Sequence, residues 1–225
     1  IFLRIDDFSR LQQASQSRID QGLIKLQGKY PEDRKQLRDL VRVGDHTVGE
    51  GTLVTLQAYV FNSRYANVKY NLDSHGQPGR GEAVNCDNPE LDWNDIHIAL
   101  SGSLDKNVDE CTTVTAEISP HYRPALWSQF HDGANEGVES VLPGLLKHRV
   151  LKQRGRPLLV RLTGPLFYDA SHQPCLLRGN KVIERHTPER RSIWEIHPVY
   201  RIQVYDVRNR RWQEFDEWAP VSRGS

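Results

Sequence analysis

The chain of 225 residues has no methionine, only three cysteines, and no apolar run approaching the ~20 residues a membrane span requires. With no methionine and Ile1 at its start, the chain is expected to have been trimmed, taking any signal or lipid anchor with it. The three cysteines, Cys86, Cys111 and Cys175, contain no Cys-x-x-Cys pair, which removes the usual zinc and dithiol signatures. Three buried free thiols are expected, with a Cys86–Cys111 bridge as the alternative. A chain of this length can bury a full core without disulfides. It has no internal repeat and no low-complexity tract.

Net charge is also scarce, at +1, but it is unevenly spread. Eight acids and one base lie between Glu82 and Glu110, whereas Lys147 to Arg211 holds fifteen Lys/Arg and five acids. Such asymmetry points to a polyanionic partner, or to two halves that neutralise each other across the fold.

Residues 1–50 read as a helical segment. Phe8, Leu11, Ile19, Leu23 and Leu26 recur at helical spacing after a cap at Asp6 or Asp7. Pro31-Glu32-Asp33 reads as a second helix start, with Leu37, Leu40 and Val41 as its apolar stripe. From Thr52 the period falls to two. Strands are expected at Thr52–Tyr59 (with 66–72 as a continuation or hairpin arm), Asp95–Leu100, Thr112–Ile118, Leu158–Tyr168 and Ser192–Tyr205. A helix is expected after Pro124, and Gly164-Pro165 marks a bend in the fourth strand. The order strand, strand, strand, helix, strand, strand is that of a five-stranded OB-type β-barrel, assigned to residues 51–206. Residues 207–225 form a Trp-rich tail in which Trp212, Phe215 and Trp218 are spaced by three. Packing of these rings onto the chain's own surface is expected.

Two strands carry an acid and a histidine two residues apart, Asp95-x-His97 and Glu195-x-His197. Residues at i and i+2 share a strand face, and the intervening isoleucines claim the apolar one. Each pair therefore projects away from the barrel interior, as does Glu117, and Asp169 and His172 follow at the exit of the fourth strand. The seven groups Asp95, His97, Glu117, Asp169, His172, Glu195 and His197 suit three roles. They can bind a divalent metal through His97, His172 and His197, perform acid/base catalysis, or form a hydrogen-bonded seam, which is slightly favoured. A second candidate is a basic groove of Arg154, Arg156, Arg161, Arg190 and Arg191 beside Phe167, Tyr168, Trp194 and Tyr200, suited to single-stranded nucleic acid or another polyanion. The competing reading places the rings in the core and the arginines on a solvated face.

The ordered motifs Asn94-Asp95-Ile96-His97, Leu162-Thr163-Gly164 with Asp169 and His172, and Glu195-Ile196-His197-Pro198-Val199 resemble a group of bacterial proteins of uncharacterised activity. That group is marked by D-x-H, V-x-G-x4-D-x-x-H and E-[LI]-H-P-V, and some members are described as nucleic-acid-binding lipoproteins with an OB-like fold. The likeness covers about residues 52–205. It implies that the acid/histidine cluster marks the group, and it leaves activity open. It also implies an exported location, periplasmic or lipid-anchored, as a slightly favoured expectation. A binding protein for nucleic acid or another polyanion, a phosphodiesterase-like hydrolase with or without a divalent metal, and an interaction module are the three functional expectations.

Overall fold

The computed structural model describes residues 1–65, 95–105, 108–124, 157–179 and 181–218. The first element is β1 (Phe2–Leu3), followed by helix α1 (Ile5–Asp20). Arg4 occupies the cap position, and its backbone N–H donates to the Asp7 carboxylate at 2.8 Å, so Asp7 acts from inside the first turn. Phe8 and Leu11 are fully buried, each contributing about 1.5–3 kcal/mol of apolar burial. Leu23 lies beyond the helix end and is exposed.

The expected second helix is not formed. Residues 26–48 fold as two small hairpins, β2 (Leu26–Gln27) with β3 (Tyr30–Pro31) and β4 (Val41–Val43) with β5 (His46–Val48), around a 3-10 turn at Arg34–Leu37. Asp39, at a φ of 51°, turns the chain between Leu37 and Leu40 where a helix would need it straight, and Gly28 and Gly44 at positive φ form the turns of the two hairpins.

A closed five-stranded barrel follows. Its strands are β6 (Leu53–Tyr65), β7 (Ile96–Ser101), β8 (Val114–Ile118), β9 (Leu159–Tyr168) and β12 (Trp194–Ile196). Around the barrel the order is β6-β7-β8-β12-β9 and back to β6, with β8 and β12 parallel and every other pair antiparallel. The hairpin β10 (Leu176–Arg178) and β11 (Lys181–Glu184) lies between β9 and β12 in sequence. Beyond the barrel, β13 (Arg201–Asp206) pairs with the first half of β9, and β14 (Arg211–Glu214) pairs with β13. Val54, Leu56 and Ala58 of β6, Ile96, Ile98 and Leu100 of β7, and Ile196 of β12 are all buried, as the period-two pattern requires. The expected continuation at 66–72 and the helix after Pro124 lie outside the described residues.

The expected last strand, 192–205, is two strands joined at His197-Pro198, a cis peptide. Proline offers no ladder N–H, so pairing stops there and resumes at Arg201. The link crosses β9 so closely that a Cβ at Gly164 would lie 2.3 Å from the Pro198 carbonyl oxygen and 2.7 Å from Ile196 Cγ2. Only glycine fits at that crossing. Helix α1 docks on the same region: Trp194 is fully buried and donates from Nε1 to Ser15 Oγ at 3.2 Å, and Ile193 N donates to Gln12 Oε1 at 3.0 Å. In the tail Trp212 lies on β14, while Phe215 and Trp218 are buried against the core. The rings thus pack on the chain itself, though from a strand and turn rather than a helix.

Cys111 and Cys175 form a disulfide across a sequence separation of 64, with Cα atoms 5.5 Å apart. This corrects both the expectation of free thiols and the Cys86–Cys111 alternative. Spacing along the chain carries no information on which Cα atoms approach. The bridge ties the turn before β8 to the segment that follows β9. Among the described residues no helix is long and apolar enough to cross a membrane.

Candidate functional site: an alternating charge network on the barrel wall

The register of β7 against β8 sets His97 directly opposite Glu117, and the imidazole Nε2 lies 2.9 Å from Glu117 Oε1. The parallel neighbour β12 places Glu195 beside Thr115, so its side chain stands on the same outer face one strand away. His197 follows at the strand's end, its backbone N–H fixed to the Pro165 carbonyl at 3.0 Å. Its Nδ1 lies 2.9 Å from Glu117 Oε2 and 3.3 Å from Glu195 Oε1, and its Nε2 lies 3.3 Å from Ser119 Oγ.

The segment from Asp169 to Ile193 brings the remaining members. Arg190, fully buried, donates from Nη1 to Glu195 at 3.0 Å and to Asp169 at 3.1 Å. Asp169 Oδ2 also contacts His172 Nδ1 at 2.5 Å, while Oδ1 accepts from the backbone and hydroxyl of Ser171. The result is one unbroken chain, His97–Glu117–His197–Glu195–Arg190–Asp169–His172, in which basic and acidic side chains alternate. Asp95, half-buried before β7, has interactions of its own. Six of the seven expected residues thus converge, and Arg190 is the member that sequence reasoning placed elsewhere. A charge count was the available signal: three carboxylates gathered with histidines that are ordinarily neutral call for a permanent cation.

Burial and pairing pull each group in opposite directions. Burial disfavours the charged form of His197, but its hydrogen bonds and attraction to Glu117 and Glu195 win and lift it to about 11. His97 is raised in the same way, burial being outweighed by Glu117. Glu117, serving two imidazoles, is held well below the carboxylate range despite its burial. Burial also pushes Asp169 up, and it is overcome by His172, Arg190 and Ser171, which bring it to about 2. Only Glu195 ends high, at about 7, because burial and the neighbouring Glu117 charge exceed what His197 and Arg190 return. The cluster thus alternates His97, His197 and Arg190 with Glu117, Glu195 and Asp169, and Arg190 is its permanent cation.

This pairing limits the chemistry. A protonated imidazole has no free lone pair, so His197 can act as a base or a metal ligand only after giving up the proton that Glu117 and Glu195 hold. Glu117, Glu195 and His197 do bring ligand atoms within 4.8 Å of one another, as does the set Asp109, Cys111 and Glu189. In the first set Arg190 already donates to Glu195 at 3.0 Å, and His197 Nδ1 is shared between the two carboxylates. In the second, Cys111 is consumed by the disulfide and Arg185 is ion-paired with both acids. The expected metal site of His97, His172 and His197 is not assembled: the three rings are separated along the chain by carboxylates and by Arg190.

The expected basic groove also disperses. Arg154 and Arg156 lie outside the described residues. Arg190 is interior, not groove-lining, because its charge is needed between Asp169 and Glu195. Arg191 is largely covered and ion-paired with Asp6 at 3.0 Å. Trp194 and Tyr168 are core rings, and Phe167 packs on His197 with ring centres 5.3 Å apart. Arg161 alone of the described set stands on the outer surface, its Nε donating to Gln57 at 3.0 Å.

Comparison of the chain with protein-family models, curated proteins and solved structures found no match. The fold and the network therefore stand on their own geometry.

Proposed function

We propose that this chain is a non-enzymatic binding module of the OB type, whose ligand is an anionic polymer of the single-stranded nucleic-acid class. The acid/histidine/arginine chain acts as a clamp for its barrel. The observation that carries this reading is the saturation of the network: every carboxylate bonds to a histidine or arginine, and every histidine and arginine in it bonds to a carboxylate. A network bonded in this way holds the strands of the barrel wall together. The cyclic strand order, with the first strand closing against the fourth and the third parallel to the fifth, supports the OB assignment, and OB barrels bind single strands on open surface. The Cys111–Cys175 bridge supports export to an oxidising compartment.

The test is retention on immobilised single-stranded DNA at low salt, followed by elution with a salt gradient. Salt-dependent retention is expected, and flow-through at about 50 mM salt overturns the reading. The hydrolase reading draws on Glu195 alone, whose elevation suits a general acid. Release of nitrophenol from bis(p-nitrophenyl) phosphate, lost in Glu195→Gln, would establish it in place of the binding role.

A further inference from the structure

On the face of the barrel away from the clamp, the register stacks side chains in rows across four strands. Gln57 of β6, Arg161 of β9, Gln203 of β13 and Glu214 of β14 form one row. Tyr205 and Trp212 pair beside it, with ring centres 5.3 Å apart. Phe2 of β1 lies beside Thr55 at the other edge and is 62% exposed. The Arg161 guanidinium sits between these edges, 4.0 Å from the Trp212 ring centre and 5.5 Å from that of Phe2. Gln57 holds it by Nε, and among the described residues no carboxylate pairs with it.

The turn joining β13 to β14 adds charge. Arg208, Arg210 and Arg211 are exposed there, while the Asp206 carboxylate is spent on the turn's own N–H groups at Arg208 and Asn209. Arg201 is neutralised by Glu214. Arg161 and Arg201 on this face and Arg208 and Arg210 in the turn thus meet one acid, Glu214, a surplus of three positive charges, while Asp206 and Arg211 pair on the opposite side of β13 and β14. Asp216 and Glu217 follow the opposite end of β14.

We infer that this face, from Phe2 through Arg161 to Trp212 and the 207–210 turn, is the surface on which a single nucleic-acid strand lies. Its bases stack on the ring–guanidinium–ring platform and its phosphates run to the arginine turn. The inference rests on the binding reading above and assigns that reading a surface. Flat aromatic and guanidinium faces accept any base, and the charge surplus complements the backbone. A protein partner is a poorer match, since interface centres are depleted of charge and this one has Arg161 at its middle.

The experiment measures anisotropy of a labelled oligo(dT) of about 12 nucleotides over a salt series, with inorganic polyphosphate as competitor. Trp212→Ala and Phe2→Ala test stacking, and Arg208→Gln/Arg210→Gln tests the turn. Phe2, whose side chain is largely exposed, reports even if Trp212→Ala unfolds. Stacking variants are expected to lose at least about fivefold in oligo(dT) affinity each while polyphosphate binding holds. The turn variant is expected to lower the salt slope by about 1.4, the counterion release of two phosphates on a single strand. Wild-type binding that is indifferent to all three variants overturns this face and leaves the binding reading standing. Polyphosphate competing as well as oligo(dT), charge for charge, overturns the stacking platform. No wild-type binding to either probe overturns both, and a dimer in sedimentation that Trp212→Arg dissociates would give the face to self-association instead.

Discussion

Replacing Glu117 with glutamine perturbs the clamp at its most shared point. One carboxylate receives both His97 and His197, each at 2.9 Å, and it is 7% exposed. Two charge-assisted hydrogen bonds at about 1.5–3 kcal/mol each give a loss of about 3–6 kcal/mol. The cost of leaving buried charge uncompensated, about 3–5 kcal/mol, falls in the same range. Against a total stability of about 5–15 kcal/mol this is a large fraction. With a urea slope of about 2 kcal/mol/M, the midpoint should fall by about 1.5–3 M. The pH dependence carries a second signature. His197 is raised to about 11 from an ordinary 6.5, so its proton stabilises the fold fully below pH 6.5 and that contribution drains away as pH rises through 11. Without Glu117 the imidazoles lose the partner that holds their protons. The gap between wild type and variant should therefore be wider at about pH 6 than at about pH 9.5. Urea titrations of both proteins at those two pH values decide the matter. A loss below about 1 kcal/mol, or a gap that does not change with pH, refutes the clamp.

Three further outcomes follow from the same geometry. Arg190→Met removes two carboxylate contacts but also two buried donors, Nε and Nη2, that have no partner, so it should cost less than Glu117→Gln in the same assay; the reverse order would place the centre of the clamp at the guanidinium. Cys111→Ser/Cys175→Ser opens a loop of 64 residues, for which chain entropy gives a loss of about 4 kcal/mol. Reductant should lower the wild-type midpoint comparably and leave the double variant unmoved. Gly164→Ala drives a methyl into the Pro198 carbonyl and should cost at least about 2 kcal/mol by thermal or urea unfolding, whereas a silent substitution would show that the crossing can relax.

The barrel was legible because its strands alternate cleanly: Ile96, Ile98 and Leu100 can all point inward only if His97 and Ala99 point out. The same parity placed Glu117, Glu195 and His197 on the outer wall, and the strand order set β8 beside β12. Residues 31–48 were misread because Leu37, Leu40 and Val41 satisfy a helical spacing over too short a span to exclude strands. The deciding feature, positive φ at Asp39 between Leu37 and Leu40, is a backbone choice that an apolar stripe does not report. Arg190 was misread because linear charge counting groups it with Arg191, although neighbouring residues in extended chain face opposite ways: one enters the interior and the other reaches Asp6. The disulfide was out of reach because it joins loops whose approach depends on the closed barrel.

The central claim is that His197 is an imidazolium locked between Glu117 and Glu195 rather than a base or a ligand. Long-range proton–nitrogen correlation spectra of the histidine side chains, followed from about pH 5 to 10, test it directly. Both ring nitrogens of His197 are expected to stay protonated beyond about pH 9, with no shift when zinc or manganese is added. A His197 that titrates near its ordinary 6.5, or whose ring signals move with the metal, would contradict it.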